Sequence, residues 1–109
     1  MKQKGRPKKL REVKRLPKIS QFSPRGKPGR PDEIQLTVDH FEAVRMADFE
    51  GFDQTSGASA MGVSRATFGR ILREARKLIA DGLINGKIIR IFGGSIRISA
   101  APQSAIKSQ

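Results

Sequence analysis

Residues 53–77, DQTSGASAMGVSRATFGRILREARK, constrain the fold more than any other stretch of the chain. Asp53 suits the N-cap of a short helix that Gly62 closes, and Ser64 suits the N-cap of a longer helix only two residues later. Two helices this close in sequence must turn sharply on one another. Gly62 offers the left-handed backbone that such a turn needs, and Val63 offers a small apolar plug between the helices. This is the spacing of a helix-turn-helix, in which the first helix braces the second.

The longer helix is expected to run from Ser64 to about residue 84, where Asn85 and Gly86 stop it. Phe68, Ile71, Leu72, Ala75, Leu78 and Ile79 recur at the spacing of a buried stripe. That stripe turns Arg65, Ala66, Gly69, Arg70 and Arg73 outward. Within a helix-turn-helix, Arg70 is the candidate for bidentate contact with guanine and Thr67 for contact with a thymine methyl. Ser64, whose helix start exposes backbone N–H groups, suits a phosphate, and Arg73, Arg76 and Lys77 lie where the backbone would pass. The expected DNA contacts are therefore Ser64, Arg65, Ala66, Thr67, Arg70, Arg73, Arg76 and Lys77.

A third helix precedes this pair. Asp39 and Glu42 have capping-box spacing and Gly51 suits a helix end, so residues 39–50 are expected to be helical. Its apolar positions are Phe41, Val44, Met46, Ala47 and Phe49. The bracing helix has poor propensity, because Thr55, Ser56, Gly57 and Ser59 fall inside it.

Charge divides the chain. The formal net charge is +12, and residues 1–31 hold twelve of the basic residues and one acid. Residues 32–86 are net acidic, and a polyanion such as nucleic acid is the expected partner of the basic part. Within that middle region, residues 32–53 carry seven acids against Arg45 alone, while residues 64–77 carry five cations against Glu74. That polarity would aim the last helix at DNA; internal pairing of the two regions fits the same numbers. There is no cysteine, hence no disulfide, cysteine zinc site or thiol nucleophile. His40 is the single histidine, expected exposed, so neither a catalytic triad nor a metal site assembles. No enzyme, cofactor or metal is expected. Without a membrane-length apolar run, a cytoplasmic, nucleoid-associated protein with no membrane partner is expected.

The expected fold is mainly α. It comprises a basic, largely irregular arm over residues 1–31, a three-helix helix-turn-helix domain over 32–86, a β-hairpin over 87–98 and a disordered tail over 99–109. Five of the six prolines fall in the arm, which cannot fold alone, although residues 13–19 alternate enough for a short strand. Lys4, Gly5, Arg6, Pro7, Lys8 and Lys9 resemble a minor-groove hook, in which Arg6 would insert and Lys8 and Lys9 hold phosphates; plain attraction of these cations to phosphates fits the same residues. In the hairpin, KIIRIF and SIRI flank Gly93 and Gly94. Its bulky side chains on both faces predict packing on the core or in a homodimer.

The segments LTVDHFEAVRMADFEGF, MGVSRATFGRILREARKLIADGLINGK and IRIFGG, with Arg6, Pro7, Lys8 and Lys9, resemble a family of small uncharacterised proteins of bacteria and archaea described as DNA-binding. The family's central part is similar to the helix-turn-helix of region four of bacterial sigma factors. The resemblance implies a core of sigma-region-four type and a DNA-binding, transcription-regulating role. Two positions depart from the family: Thr55, Ser56 and Gly57 replace a Glu/Ala-rich bracing helix, and Leu10 stands where some relatives carry cysteine.

The leading expectation is thus a double-stranded DNA-binding regulator of transcription. One alternative is a nonspecific nucleoid or RNA-binding protein, which the basic arm suits equally; the absence of Trp and Tyr, with the six Phe mostly on expected core faces, counts against binding of single strands. The other is an adaptor that docks on RNA polymerase through the acidic first helix.

Overall fold

The apolar stripe of residues 68–79 becomes the inner side of the longest element, α3 (Arg65–Asn85), in a computed structural model that describes residues 10–26 and 28–99. Ser64 caps α3: its Oγ accepts the Thr67 N–H at 3.0 Å, and Gly86 closes the helix at φ 62°. Helix α2 (Gln54–Met61) is capped by the Asp53 carboxylate, which accepts the Ser56 N–H at 2.7 Å. It ends at Gly62 with φ 71°. Both caps and both stops are the ones read from the sequence.

The first helix departs from expectation at both ends. Helix α1 (Val38–Val44) begins one residue earlier, with Thr37 as N-cap. The box is closed by His40, whose Nδ1 accepts the Thr37 N–H at 3.1 Å, and not by Asp39 with Glu42. The helix continues through a π turn (Arg45–Phe49), in which the Glu50 N–H reaches back five residues to the Arg45 carbonyl at 2.9 Å. The extra residue in this turn shifts the side chains around the helix axis, so Met46 stays buried while Phe49 is 83 % exposed.

Two apolar clusters share α3. Ala43, Met46, Ala58, Met61, Phe68, Ile71 and Leu72 fill the space between the three helices. Phe68 is fully buried against Gly57, where any Cβ would fall on its ring. The residue that weakens α2 by propensity is thus the one that admits α3. The second cluster, Val13, Leu36, Val38, Ala75 and Ile91, lies between α3 and the strands. There Gly82 of α3 is buried, and a Cβ on it would sit 2.8 Å from Ile89.

The C-terminal hairpin does not form. Strands β1 (Arg11–Val13), β2 (Gln21–Phe22) and β3 (Glu33–Leu36) come from the N-terminal third, and β4 (Ile88–Ile91) and β5 (Ile96–Ile98) follow α3. β4 is the centre of a three-stranded sheet, antiparallel to β2 and parallel to β3. β5 pairs instead with β1, in parallel, Arg11 opposite Ile96. With both edges of β4 occupied, β5 has no place beside it. Gly93 and Gly94, at φ 79° and 101°, carry the chain across to the second sheet. The isoleucines on both faces of β4 are those of a central strand; they give no support to a dimer.

The arm is correspondingly less separate than its composition implies. Val13, at 1 % exposure, is core, and the folded unit begins near residue 10, not at residue 32. At the other end the Ser99 N–H still donates to the Val13 carbonyl at 2.7 Å. Residues 1–9 and 100–109 lie outside the described residues. Among the described residues no helix is long and apolar enough to cross a membrane.

Candidate nucleic-acid interface

Three residues, 62–64, separate α2 from α3, and the start of α3 is open to solvent. Ser64, Arg65 and Ala66 are exposed, as are Arg70, Arg73, Arg76 and Lys77 further along. Thr67 is half-buried, and its Oγ1 accepts the Ser64 hydroxyl at 2.9 Å. Gly69, expected to face outward, is buried beneath the Gln54 side chain. The rest of the expected contact set lies on one side of one helix.

The cations of that face are not equivalent. Arg76 holds Asp48 by two hydrogen bonds, at 2.7 and 3.1 Å. That bonding keeps the Asp48 carboxyl below its usual range and the Arg76 guanidinium above its own. Arg65, Arg70, Arg73 and Lys77 form no hydrogen bond or ion pair among the described residues. Arg65 does lie near enough to Asp53 to help depress its pKa, behind the larger effect of the Ser56 N–H.

Of the seven acids of residues 32–53, Asp39 and Glu42 are disposed in the opposite way. Asp39 is buried and bound to Arg11 at 2.7 Å. Glu42 is buried, accepts the Lys14 backbone N–H at 2.9 Å, and holds Arg45 at 2.8 and 3.0 Å. Arg45 also takes Glu50 at 3.0 Å, and this bonding, foremost that to Glu42, raises its pKa. Glu33 pairs with Arg90. Asp48 and Glu50, at the end of the first helix, are exposed and pair with Arg76 and Arg45.

The N-terminal strand adjoins this face. Arg11, Thr37, Asp39, Arg70 and Gly94 line one small depression, so the chain enters β1 beside Arg70. Phe52, Gln54, Arg73 and Arg76 line another along α3. The hook residues Arg6, Lys8 and Lys9 lie outside the described residues. The expectation that phenylalanines are mostly buried is overturned: Phe22, Phe49, Phe52 and Phe92 are exposed, and only Phe68 is fully buried. His40, expected exposed, is half-buried, with Nε2 3.3 Å from Glu74. Among the described residues no group of His, Cys, Asp and Glu could hold a metal ion. The wide spread of these contacts along the chain, from Arg11 to Gly94, is why the sequence alone did not bring them together.

The chain belongs to the family "Protein of unknown function DUF134", whose model matches residues 1–99. It is 48 % identical over 93 residues to a UPF0251 protein of Prosthecochloris aestuarii, covering 84 % of this chain and 60 % of that protein. It is 52 % identical over 90 residues to one of Caldicellulosiruptor bescii, covering 83 % and 63 %. With one of Thermoanaerobacter sp. strain X514 the identity is 47 % over 94 residues, covering 85 % and 83 %. The chain thus spans about three-fifths of the length of the first two of these relatives. No solved structure matches it.

Proposed function

We propose that this chain binds double-stranded DNA as a regulator of transcription, with α2 and α3 acting as a helix-turn-helix of sigma-region-four type. The N-terminal half of α3 lies in the major groove. One observation carries the reading: Arg65, Arg70, Arg73 and Lys77 stand exposed and unpaired among the described residues, while the nearby acids are bound elsewhere. A helix that meets phosphates and base edges keeps such cations available. Arg70 reads a base edge in the N-terminal half of α3, while Ser64 at the helix start and Arg73 and Lys77 further along hold the backbone. The chain enters β1 beside Arg70, with Arg11 lining the same depression.

Selection of bound duplexes from a random library tests this. A single enriched motif whose preference survives at high salt is expected. Absence of enrichment, with one steep salt dependence for every duplex, would reduce the reading to electrostatic attraction.

A second reading has one observation behind it. Phe52 is exposed beside Arg73 and Arg76, and exposed Phe49 follows Asp48, the partner of Arg76. Aromatic and cationic groups side by side are what single-stranded nucleic acid stacks upon. Tighter binding of a single strand than of the matching duplex, lost in Phe52→Ala, would favour it.

A further inference from the structure

Gly69 is an unexpected residue in the middle of α3. Glycine is a poor helix former, and this one stands between Arg65 and Arg73, four residues from each. Positions four apart share one side of a helix, so a side chain at 69 would complete an exposed row. Gly69 is buried instead. Its cover comes from the neighbouring helix. A Cβ at 69 would fall on the amide nitrogen of Gln54, the first residue of α2, with Nη1 of Arg73 3.6 Å away. A side chain of α2 thus fills the gap that glycine leaves in the row.

The two groups brought together there are both hydrogen-bond donors. Neither the Gln54 side chain nor the Arg73 guanidinium has a partner among the described residues. The acids nearby are engaged: Asp53 accepts the Ser56 N–H, and Asp48 holds Arg76. A neutral N–H beside a guanidinium suits an anionic oxygen, and a phosphate diester presents two of them. Gly69 lies about 100° around the helix from Arg70. With Arg70 at a base edge, this spot faces the strand that flanks it.

We propose that Gln54 and Arg73 together hold one backbone phosphate of the bound duplex, and that Gly69 is the notch that seats the Gln54 amide there. The inference rests on the DNA reading and extends it. The bracing helix contributes a contact of its own, and Gly69 acts through that contact as a positioning residue.

Titration of the full chain against the selected duplex and a scrambled one tests this. Gln54→Ala is expected to lose about tenfold in affinity for both, the effect of one hydrogen bond to a charged group. Its preference and its salt slope should not change, because a neutral amide displaces no counterion. Gly69→Ala is expected to melt no lower than the parent, since only the flexible end of Gln54 must move and alanine is the better helix former. It should nevertheless lose affinity by a similar factor, and the double variant should lose no more than either single one. A Gln54→Ala chain that binds like the parent would overturn the proposal and leave the DNA reading standing. Loss confined to the selected duplex would overturn it too, by making Gln54 a reader of bases. A further loss in the double variant would overturn the notch, by showing that DNA meets Gly69 itself. A parent chain that binds no duplex would instead overturn the DNA reading, and the phosphate contact with it.

Discussion

The acids Asp39 and Glu42 of α1 and the cations of α3 lie on packed neighbours, yet the fold uses them differently. Asp39 and Glu42 are buried, each with a guanidinium and a further hydrogen bond. Arg65, Arg70, Arg73 and Lys77 are left to solvent. The lesson is that net charge in a segment does not say where its field goes. Buried charges with partners hold the fold together, and exposed charges without partners are available to a ligand.

The largest expected break in that contrast is Arg11→Ala. It leaves the Asp39 carboxylate buried without its cation, and chemical denaturation should register a loss of about 3–5 kcal/mol. The same kind of truncation on α3 should do almost nothing to stability. Arg70→Ala and Arg73→Ala are expected to stay within about 0.5 kcal/mol of the parent in the same assay. A loss as large as that of Arg11→Ala would mean that these cations have structural partners after all. Between the two lies Ser64→Ala, which removes the Thr67 N–H acceptor and should cost about 1 kcal/mol.

Arg76 is the intermediate case and sharpens the comparison. Its pair with Asp48 is about half exposed, so Arg76→Ala should cost about 0.5 kcal/mol or less in thermal unfolding. The pH dependence has a definite sign. Arg76 holds Asp48, the Ser56 N–H holds Asp53, and Lys87 holds Asp81 below the ordinary carboxylate range. Their stabilisation is complete above about pH 4, the unfolded value, and is lost as pH falls through the lower folded values. Arg76→Ala should therefore show a shallower fall in melting temperature on acidification than the parent. An unchanged profile would mean that the pair does not form in solution.

The helices were largely legible because their signals are local. Asp53, Gly62, Ser64 and Gly86 act within a turn of themselves, and the stripe through Phe68 and Ile71 repeats along one helix. The sheets were not legible because their partners are remote. β4 pairs with strands more than fifty residues earlier, and a Gly-Gly between two isoleucine-rich runs imitates a hairpin when those strands are ignored. The same distance hid the pairing of Arg11 with Asp39, and with it the fact that part of the basic arm is core. At the candidate site, the exposed side of α3 followed from its periodicity. That Arg76 is engaged and that Gly69 is covered depended on Asp48 and Gln54, which periodicity does not reach.

The most direct measurement compares two variants that lose the same charge. Arg70→Ala with Arg73→Ala removes two cations of α3, and Arg15→Ala with Lys18→Ala removes two exposed cations of the N-terminal segment. Each is titrated, as the full chain, against the selected duplex across a range of salt. The α3 variant is expected to lose at least tenfold in affinity and most of its preference over scrambled DNA. The control should lose little of that preference, with at most a shallower salt slope, about 0.9 per phosphate contact removed. Equal losses in the two variants, on selected and scrambled DNA alike, would contradict the claim that α3 reads the groove.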